Sequence, residues 1–254
     1  MSKPRINPLS ISSFLVEAYF NNILLSTATA FAYKYNNKKY LVTNYHVAFG
    51  KNPITNQCID KRAAIPNRLK LIYYDKNATS MFCEIKYIDD INPFKFIKID
   101  EQIVDIAIYE MPIEFTGVCI NDIKKDFPEL SYEENIRLEI TEPLYVLGYP
   151  RGINICYTPI WKKSSIASEP QLDIDGIPCF YIDTTTREGM SGSPVIFYSS
   201  DGNYKTADGT YHLSSGVTYN FVGIYSGRDR NDEPHIAQLG KVWKKELIEK
   251  IISS

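Results

Sequence analysis

The sequence lacks a long hydrophobic run and an excess of one charge, and each shortage excludes a class of protein. No run approaches the ~18 consecutive apolar residues that span a bilayer, and the first eight residues hold two prolines rather than an apolar signal segment. We therefore expect no membrane partner. The 28 basic and 30 acidic residues give a net charge of −2. This balance argues against nucleic-acid binding, which requires clustered positive charge.

The sequence also lacks the cysteine patterns of a disulfide framework and of a zinc site. The five cysteines are odd in number and far apart, which predicts free thiols in a reducing compartment and hence a cytoplasmic location. No pair has Cys-x-x-Cys spacing and no histidine stands beside a cysteine, so we expect no structural zinc. We also expect no other metal and no cofactor. Small buried hydrophobic residues are the simplest interpretation of Cys58, Cys83, Cys119, Cys156 and Cys179.

The abundance of hydrophobic and aromatic residues indicates β-structure. Hydrophobic residues make up 44% of the 254 residues, and 19 Tyr and 12 Phe stand against only 13 Gly. Aromatic side chains pack well on pleated surfaces, and short or alternating apolar runs recur along most of the chain. A polar stretch at residues 121–135 is the best candidate for a connection between domains. We predict an all-β protein with one half at 1–128 and the other at 129–254.

Only the end of the chain has a helical pattern. Residues 241–252 place their apolar side chains in one stripe and fill the remaining positions with Lys and Glu. We predict a helix over 241–252 that closes the second half. Docking on its own barrel is the commoner outcome, and a partner-binding helix is the alternative.

Three histidines limit the possible acid–base chemistry to a few places. His212 lies in a polar loop and His235 follows two acidic residues, so both are interpreted as surface residues. His46 differs because it ends an otherwise apolar strand segment at residues 40–47. A histidine in such a place is by default structural, and only its partners could give it a catalytic role.

A serine between glycines is the second candidate. Residues 188–196 read Glu-Gly-Met-Ser-Gly-Ser-Pro-Val-Ile, which predicts a tight turn that exposes the Ser191 hydroxyl. Such a turn also exposes backbone N–H groups, which an oxyanion site needs. An ordinary Gly/Ser-rich loop is an equally good interpretation of this fragment alone.

An acid within an apolar run is the third candidate. Asp105 lies in residues 103–109, Ile-Val-Asp-Ile-Ala-Ile-Tyr, which are interpreted as a strand. Burying a carboxylate is costly unless groups donate hydrogen bonds to it. An imidazole N–H would do so and would fix the tautomer that accepts a serine proton. The alternative is an aspartate that faces solvent.

The order of these three residues along the chain, His46, Asp105 and Ser191, resembles that of chymotrypsin-like (trypsin-fold) serine peptidases. The first two lie in the first half and the serine in the second. Residues 43–47 (Thr-Asn-Tyr-His-Val), 104–108 and 189–195 (Gly-Met-Ser-Gly-Ser-Pro-Val) are similar to the motifs of bacterial members. Weaker similarity extends over residues 147–150, 160–163 and 221–227.

The resemblance implies two chymotrypsin-like antiparallel β-barrels, a C-terminal helix and a serine endopeptidase acting on proteins or peptides. Ser191 is then the nucleophile, His46 the general base and Asp105 the residue that orients it. The N–H groups of Gly189 and Ser191 would form the oxyanion hole. An apolar Met190, where digestive relatives carry an acid, predicts that packing orders this loop. No oligomeric state is predicted.

The resemblance also implies residues that bind substrate. Tyr225, Ser226 and Gly227 are expected to pair with the substrate backbone, and Ser226 to bond to Asp105. Thr185, with Thr186 beside it, occupies the base of the specificity pocket, where an acid would select Arg or Lys. We therefore expect no basic preference.

Tyr225 replaces the histidine of glutamyl endopeptidases, so a glutamate preference is also not expected. A bulky side chain here predicts a narrow pocket that takes small residues. Two alternatives to an enzyme remain at this stage: a catalytically silent peptidase-fold binding module, and a β-barrel interaction protein with coincidental motifs.

Overall fold

A computed structural model describes residues 6–185, 187–213, 216–228 and 239–254, which form two large β-sheets and two separate two-stranded hairpins. The strands of the first part are β1 (Ser13–Phe20), β2 (Ile23–Tyr35), β3 (Lys38–Thr43), β4 (Arg68–Tyr74), β5 (Ser80–Lys86), β6 (Lys98–Ile99), β7 (Gln102–Ile103) and β8 (Ala107–Glu110). The later strands are β9 (Leu130–Tyr132), β10 (Pro143–Gly148), β11 (Ile160–Ile166), β12 (Cys179–Asp183), β13 (Pro194–Ser199), β14 (Tyr204–Lys205), β15 (Tyr211–His212), β16 (Val217–Arg228) and β17 (Leu239–Lys244). The helices are α1 (Tyr45–Phe49) and α2 (Glu246–Ile252), with 3₁₀ turns at Pro8–Ser12, Ile88–Asp90, Ile123–Lys125 and Pro150–Gly152.

The first sheet is antiparallel and stays open. Its strands follow the order β5-β4-β1-β2-β3-β8, and β6 and β7 form a separate small hairpin. The turn between β2 and β3 contains Asn36 and Asn37 with φ values of 45° and 62°. Asparagine tolerates this left-handed region better than most residues with a Cβ, which explains why two asparagines form this tight turn.

The second sheet closes on itself. Its order is β13-β10-β11-β12-β17-β16-β9, and an additional pairing of β13 with β16 joins six strands into a barrel. With the open half-barrel before it and a helix at the end, this confirms the predicted fold class. One pairing is not antiparallel: the short β9, within the stretch interpreted as a connection, runs parallel to β16.

The two sheets share one core, which positions the elements of the site. The Phe31 ring on β2 lies 5.1 Å from the Phe221 ring on β16. The Tyr149 hydroxyl donates to the Ser13 carbonyl at 2.8 Å. The largest buried cluster accordingly mixes residues from both sheets. The division at 128/129 stays a prediction.

The C-terminal helix is shorter than predicted. The helix expected over 241–252 begins at Glu246, because Val242 and Trp243 belong to β17 and pair with β12 and β16. Strand and helix positions lie in one apolar stripe, so the pattern alone could not separate them. The helix packs Leu247, Ile248 and Ile251 into the shared core. None of the helices in the described ranges is both long and apolar enough to cross a membrane.

The five cysteines are free, and their environments predict an order of reactivity. Burial raises the pKa of the Cys119 thiol to about 12 and also raises the pKa of the Cys179 thiol. The reactive thiolate of a buried cysteine therefore forms only at higher pH.

We expect iodoacetamide at pH 8 to modify the exposed Cys156 in the native protein, and Cys119 and Cys179 only after unfolding. Mass spectrometry of digested samples gives this order directly. Equal rates at Cys119 and Cys156 would contradict it.

Candidate active site

His46 lies on a helix rather than at the strand edge predicted for it. β3 ends at Thr43, and α1 then begins at Tyr45. Asn44 precedes the helix in an extended conformation, but its side chain makes no cap. Its amide instead donates to the Asp105 backbone carbonyl at 2.7 Å. This bond ties the turn that carries His46 to the segment that carries Asp105.

Asp105 likewise does not lie within a strand. β7 ends at Ile103 and β8 begins at Ala107, so the aspartate occupies the link between them. Its side chain is buried, at 4% exposure, and accepts hydrogen bonds from three donors. These are the backbone N–H of His46 at 2.9 Å, the His46 Nδ1 at 2.8 Å and the Ser226 hydroxyl. The donors offset the cost of burying the charge.

The bond to Asp105 determines which nitrogen of His46 can act. A carboxylate only accepts hydrogen bonds, so Nδ1 carries the proton that the two groups share. In the neutral ring Nε2 is then an acceptor, as a general base requires. The His46 side chain is 17% exposed, which leaves the ring accessible to a substrate.

Ser191 lies in the loop that joins β12 to β13. Gly189 and Gly192 flank it with φ values of 93° and 83°, a region that favours glycine. Met190 is fully buried in the core of the second barrel, in agreement with the packing role expected of it. Ser193 is also fully buried and bonds to the Met190 carbonyl, so Ser191 is the accessible serine of the pair.

The end of β16 connects the serine to the His–Asp pair. Ser226 bonds to Asp105, as the resemblance implies, and a Cβ atom on the adjacent Gly227 would lie 3.7 Å from the Ser191 Oγ. Among the described residues, no hydrogen bond joins the Ser191 hydroxyl to His46. In unliganded enzymes such bonds are often long and tighten only when substrate binds.

The residues expected in the specificity pocket differ from one another in burial. Tyr225 is fully buried, and Gly240 on β17 makes room for its ring, since a Cβ there would lie 2.5 Å from the Tyr225 Cε2. Thr185 is exposed, and Thr186 lies outside the described residues. The neighbouring Thr184 is buried beside the Tyr225 ring, and its hydroxyl forms no hydrogen bond within the described part of the chain.

Thr29 contacts the loop between β12 and β13 that carries Ser191 (the serine loop), although no motif of the sequence indicates this contact. It is a fully buried residue of β2 whose hydroxyl donates to the Gly189 carbonyl at 2.8 Å. The only available signal was a polar residue within the apolar run of β2. A pattern of that kind is too common to identify a partner 160 residues away.

The contact between Gly192 and the first sheet predicts a large effect of adding one methyl group. A Cβ atom there would overlap the Thr29 carbonyl oxygen and lie 2.5 Å from the Thr43 Oγ1. We expect Gly192→Ala to lower the free energy of unfolding in urea by about 3 kcal/mol, since backbone strain and overpacking each cost ~1–3 kcal/mol.

Gly176→Ala is the matched control for that substitution. Gly176 has a similar φ of 75°, but a Cβ atom there would meet nothing within 4 Å. It therefore carries the conformational cost without the clash. Equal destabilisation by the two substitutions would show that the contact with β2 has no effect.

Comparisons with known proteins found one family profile and similar solved structures. A family profile described as "Trypsin-like peptidase domain" matches residues 28–203, a range that contains His46, Asp105 and Ser191. The serine endoprotease of Yersinia pestis has a similar structure, with a TM-score of 0.52 and 12% identity over 96% of this chain. This chain spans 62% of the length of that protein. The MamO protease domain of Magnetospirillum magneticum aligns with a TM-score of 0.48 and 11% identity over 96% of both chains. No curated protein sequence matches this chain.

Proposed function

The chain belongs to the trypsin-like peptidase family, and from this premise we propose that it is a serine endopeptidase with the triad His46, Asp105 and Ser191. The observation that carries the proposal is the bond between the buried Asp105 carboxylate and His46 Nδ1. A buried charge is expensive to maintain in a fold. Here it is bonded to the imidazole that a serine nucleophile requires, which favours catalysis over a purely structural role.

The proposed reaction passes through an acyl-enzyme. The Ser191 Oγ attacks the peptide carbonyl carbon while His46 Nε2 accepts the hydroxyl proton. The carbonyl oxygen becomes an oxyanion, held by the N–H groups of Gly189 and Ser191 at a benefit of roughly 3–4 kcal/mol for each donor. His46 then gives its proton to the leaving amine as the C–N bond breaks. A water molecule repeats the sequence and releases the acid.

Substrate binding is proposed along the end of β16. The Tyr225 N–H and C=O already bond to the Ser193 carbonyl and the Gly192 N–H, both at 2.9 Å, so Tyr225, which was expected to pair with substrate, is not available for it. Ser226 and Gly227 would pair with an extended substrate as an added strand, in which main-chain bonds provide affinity. The fully buried Tyr225 ring packs beside Thr184 and Gly240, next to the residues that the resemblance assigns to the specificity pocket. We therefore propose small residues on the acyl side of the cleaved bond.

The five free thiols support a further proposal about location. The odd number of cysteines and the absence of any disulfide among them suit a compartment kept reducing by cellular thiols. We propose that the protein acts in the cytoplasm. A defined cross-linked cysteine pair, recovered from cells lysed in a thiol-blocking reagent, would contradict this proposal.

A fluorophosphonate probe tests the proposed activity without knowledge of the substrate. Such probes phosphonylate only serines that a base has activated. The full-length protein should be labelled, and mass spectrometry should place the adduct on Ser191. A folded protein that is not labelled would instead be a catalytically silent binding module.

A further inference from the structure

The peptide groups around Ser191 are held by hydrogen bonds from outside the loop and within it. The Glu188 carbonyl accepts from the backbone N–H of Arg151 at 2.6 Å. The Gly189 carbonyl accepts from the Thr29 hydroxyl at 2.8 Å. The Met190 carbonyl accepts from the N–H of Ser193 at 3.1 Å and from its hydroxyl at 2.6 Å. Each of three successive peptide planes therefore has a fixed carbonyl direction.

Fixed carbonyls also fix the N–H groups of the same planes. In a planar trans peptide, the C=O of one residue and the N–H of the next point in opposite directions. The Gly189 N–H therefore points away from Arg151, and the Ser191 N–H points away from Ser193. Within the described residues, neither of these N–H groups donates to a backbone carbonyl, which leaves both available to an oxyanion.

Thr29 holds the central plane and connects it to its neighbours. Its hydroxyl donates to the Gly189 carbonyl and accepts from the Tyr149 N–H at 3.2 Å, so it also holds the segment that leads to Arg151. Its own backbone N–H donates to the Ser191 carbonyl at 2.9 Å. One residue of the first sheet thus bonds to the loop on both sides of Met190.

Gly189 explains why this support is needed. A glycine with φ near 93° has neighbouring conformations of similar energy, so the planes on either side of it can rotate. Rotation of the plane before Gly189 would turn the Gly189 N–H away from the oxyanion, and rotation of the plane after it would displace the next plane, which carries the Ser191 N–H. The Thr29 hydroxyl opposes this rotation because it bonds to the plane that joins the two donor planes.

We infer that Thr29 is a positioning residue, whose hydroxyl keeps the Gly189 and Ser191 N–H groups directed at the oxyanion. The inference rests on the proposed peptidase activity and names a residue of the first sheet as part of an oxyanion site formed by the second. The donor arrangement therefore depends on contact between the two sheets. Thr29 itself is fully buried and forms no hydrogen bond with His46 in the described part of the chain.

The test compares two substitutions by their rates of fluorophosphonate labelling. Thr29→Val keeps the shape of the side chain and the backbone bond to Ser191 but removes the two hydrogen bonds of the hydroxyl, whereas Thr29→Ser keeps the hydroxyl. We expect Thr29→Val to slow labelling by about tenfold to a hundredfold, below the ~10²–10³ lost with an oxyanion donor itself. The loss should lie in the limiting rate rather than in the concentration for half-saturation. Thr29→Ser should restore the rate to within about threefold of the wild type.

Ser13→Ala is the control for loss of a buried hydroxyl between the two sheets. Ser13 is 2% exposed and its hydroxyl donates to the Leu147 carbonyl at 2.8 Å, with no bond to the serine loop. Thermal unfolding of all variants measures the stability that each substitution costs. Labelling of Ser13→Ala at the wild-type rate, with some loss of stability, would separate the positioning effect from general weakening.

The outcomes distinguish this inference from the proposed function. A labelled wild type with an equally fast Thr29→Val variant would overturn the role of Thr29 and leave the peptidase intact. A folded wild type without labelling would overturn both. If Thr29→Val does not fold, Thr29→Cys replaces it, because a thiol is a weak donor of similar size. Its rate should lie clearly below that of Thr29→Ser, and a rate equal to that of Thr29→Ser would contradict the inference.

Discussion

Ser191→Ala should abolish fluorophosphonate labelling and lower peptide hydrolysis by roughly 10⁶-fold, the scale on which removal of a triad nucleophile acts. The fold should persist, because the loop is held through backbone groups. The Ser191 carbonyl accepts from the Thr29 N–H at 2.9 Å, and alanine keeps this carbonyl. Circular dichroism and thermal unfolding should therefore match the wild type.

Ser193→Ala is the matched control, since it removes a second serine hydroxyl from the same loop. Ser193 is fully buried and its hydroxyl bonds to the Met190 carbonyl at 2.6 Å. It cannot reach a substrate, so this variant should still be labelled. Labelling should be slower, because the lost hydroxyl helps to hold the peptide plane that carries the Ser191 N–H. A silent Ser193→Ala with a labelled Ser191→Ala would show that the nucleophile is wrongly assigned.

Asp105→Asn should lower the rate of hydrolysis by about 10⁴-fold through the wrong tautomer of His46. The carboxylate meets only donors: the His46 backbone N–H at Oδ1, and His46 Nδ1 with the Ser226 hydroxyl at Oδ2. An amide NH₂ cannot face a backbone N–H, so it takes the Oδ2 side. Nδ1 must then accept, which moves the ring proton to Nε2 and prevents it from receiving the serine proton.

Asp122→Asn provides the control for that charge removal. Asp122 bonds to Lys34 at 2.6 Å, and their side chains are 36% and 30% exposed. Surface pairs of this kind contribute ~0–1 kcal/mol, so hydrolysis should be unchanged. A folded Asp105→Asn variant that hydrolyses peptides at the wild-type rate would show that Asp105 does not control the tautomer of His46.

The sequence predicted the β class and the candidate residues because both depend on local patterns. Alternating apolar residues indicate strands over a few positions. Left-handed turns require particular residues, so the glycines around Ser191 predict a tight turn, and Gly189 and Gly192 have the expected positive φ values. His46, Asp105 and Ser191 are candidates because a polar group beside apolar strands is costly to bury unless it has hydrogen-bond partners.

Local patterns were less informative where strand and helix positions overlap. Residues 241–252 carry one apolar stripe, yet β17 takes the first part and α2 the second. The apolar neighbours of His46 and Asp105 predict strand positions for both. The structure puts them on a short helix and a link, where each bonds to the other.

By itself, the sequence determined which side chains could perform the chemistry and which turns could expose them, since both follow from residue type over a few positions. Only the tertiary structure decided that the second sheet closes while the first stays open, and that Thr29 meets Gly189 and Tyr149 across 160 and 120 residues. Contacts of such separation depend on how two sheets bury their apolar faces together. The preferences of neighbouring residues do not specify that arrangement.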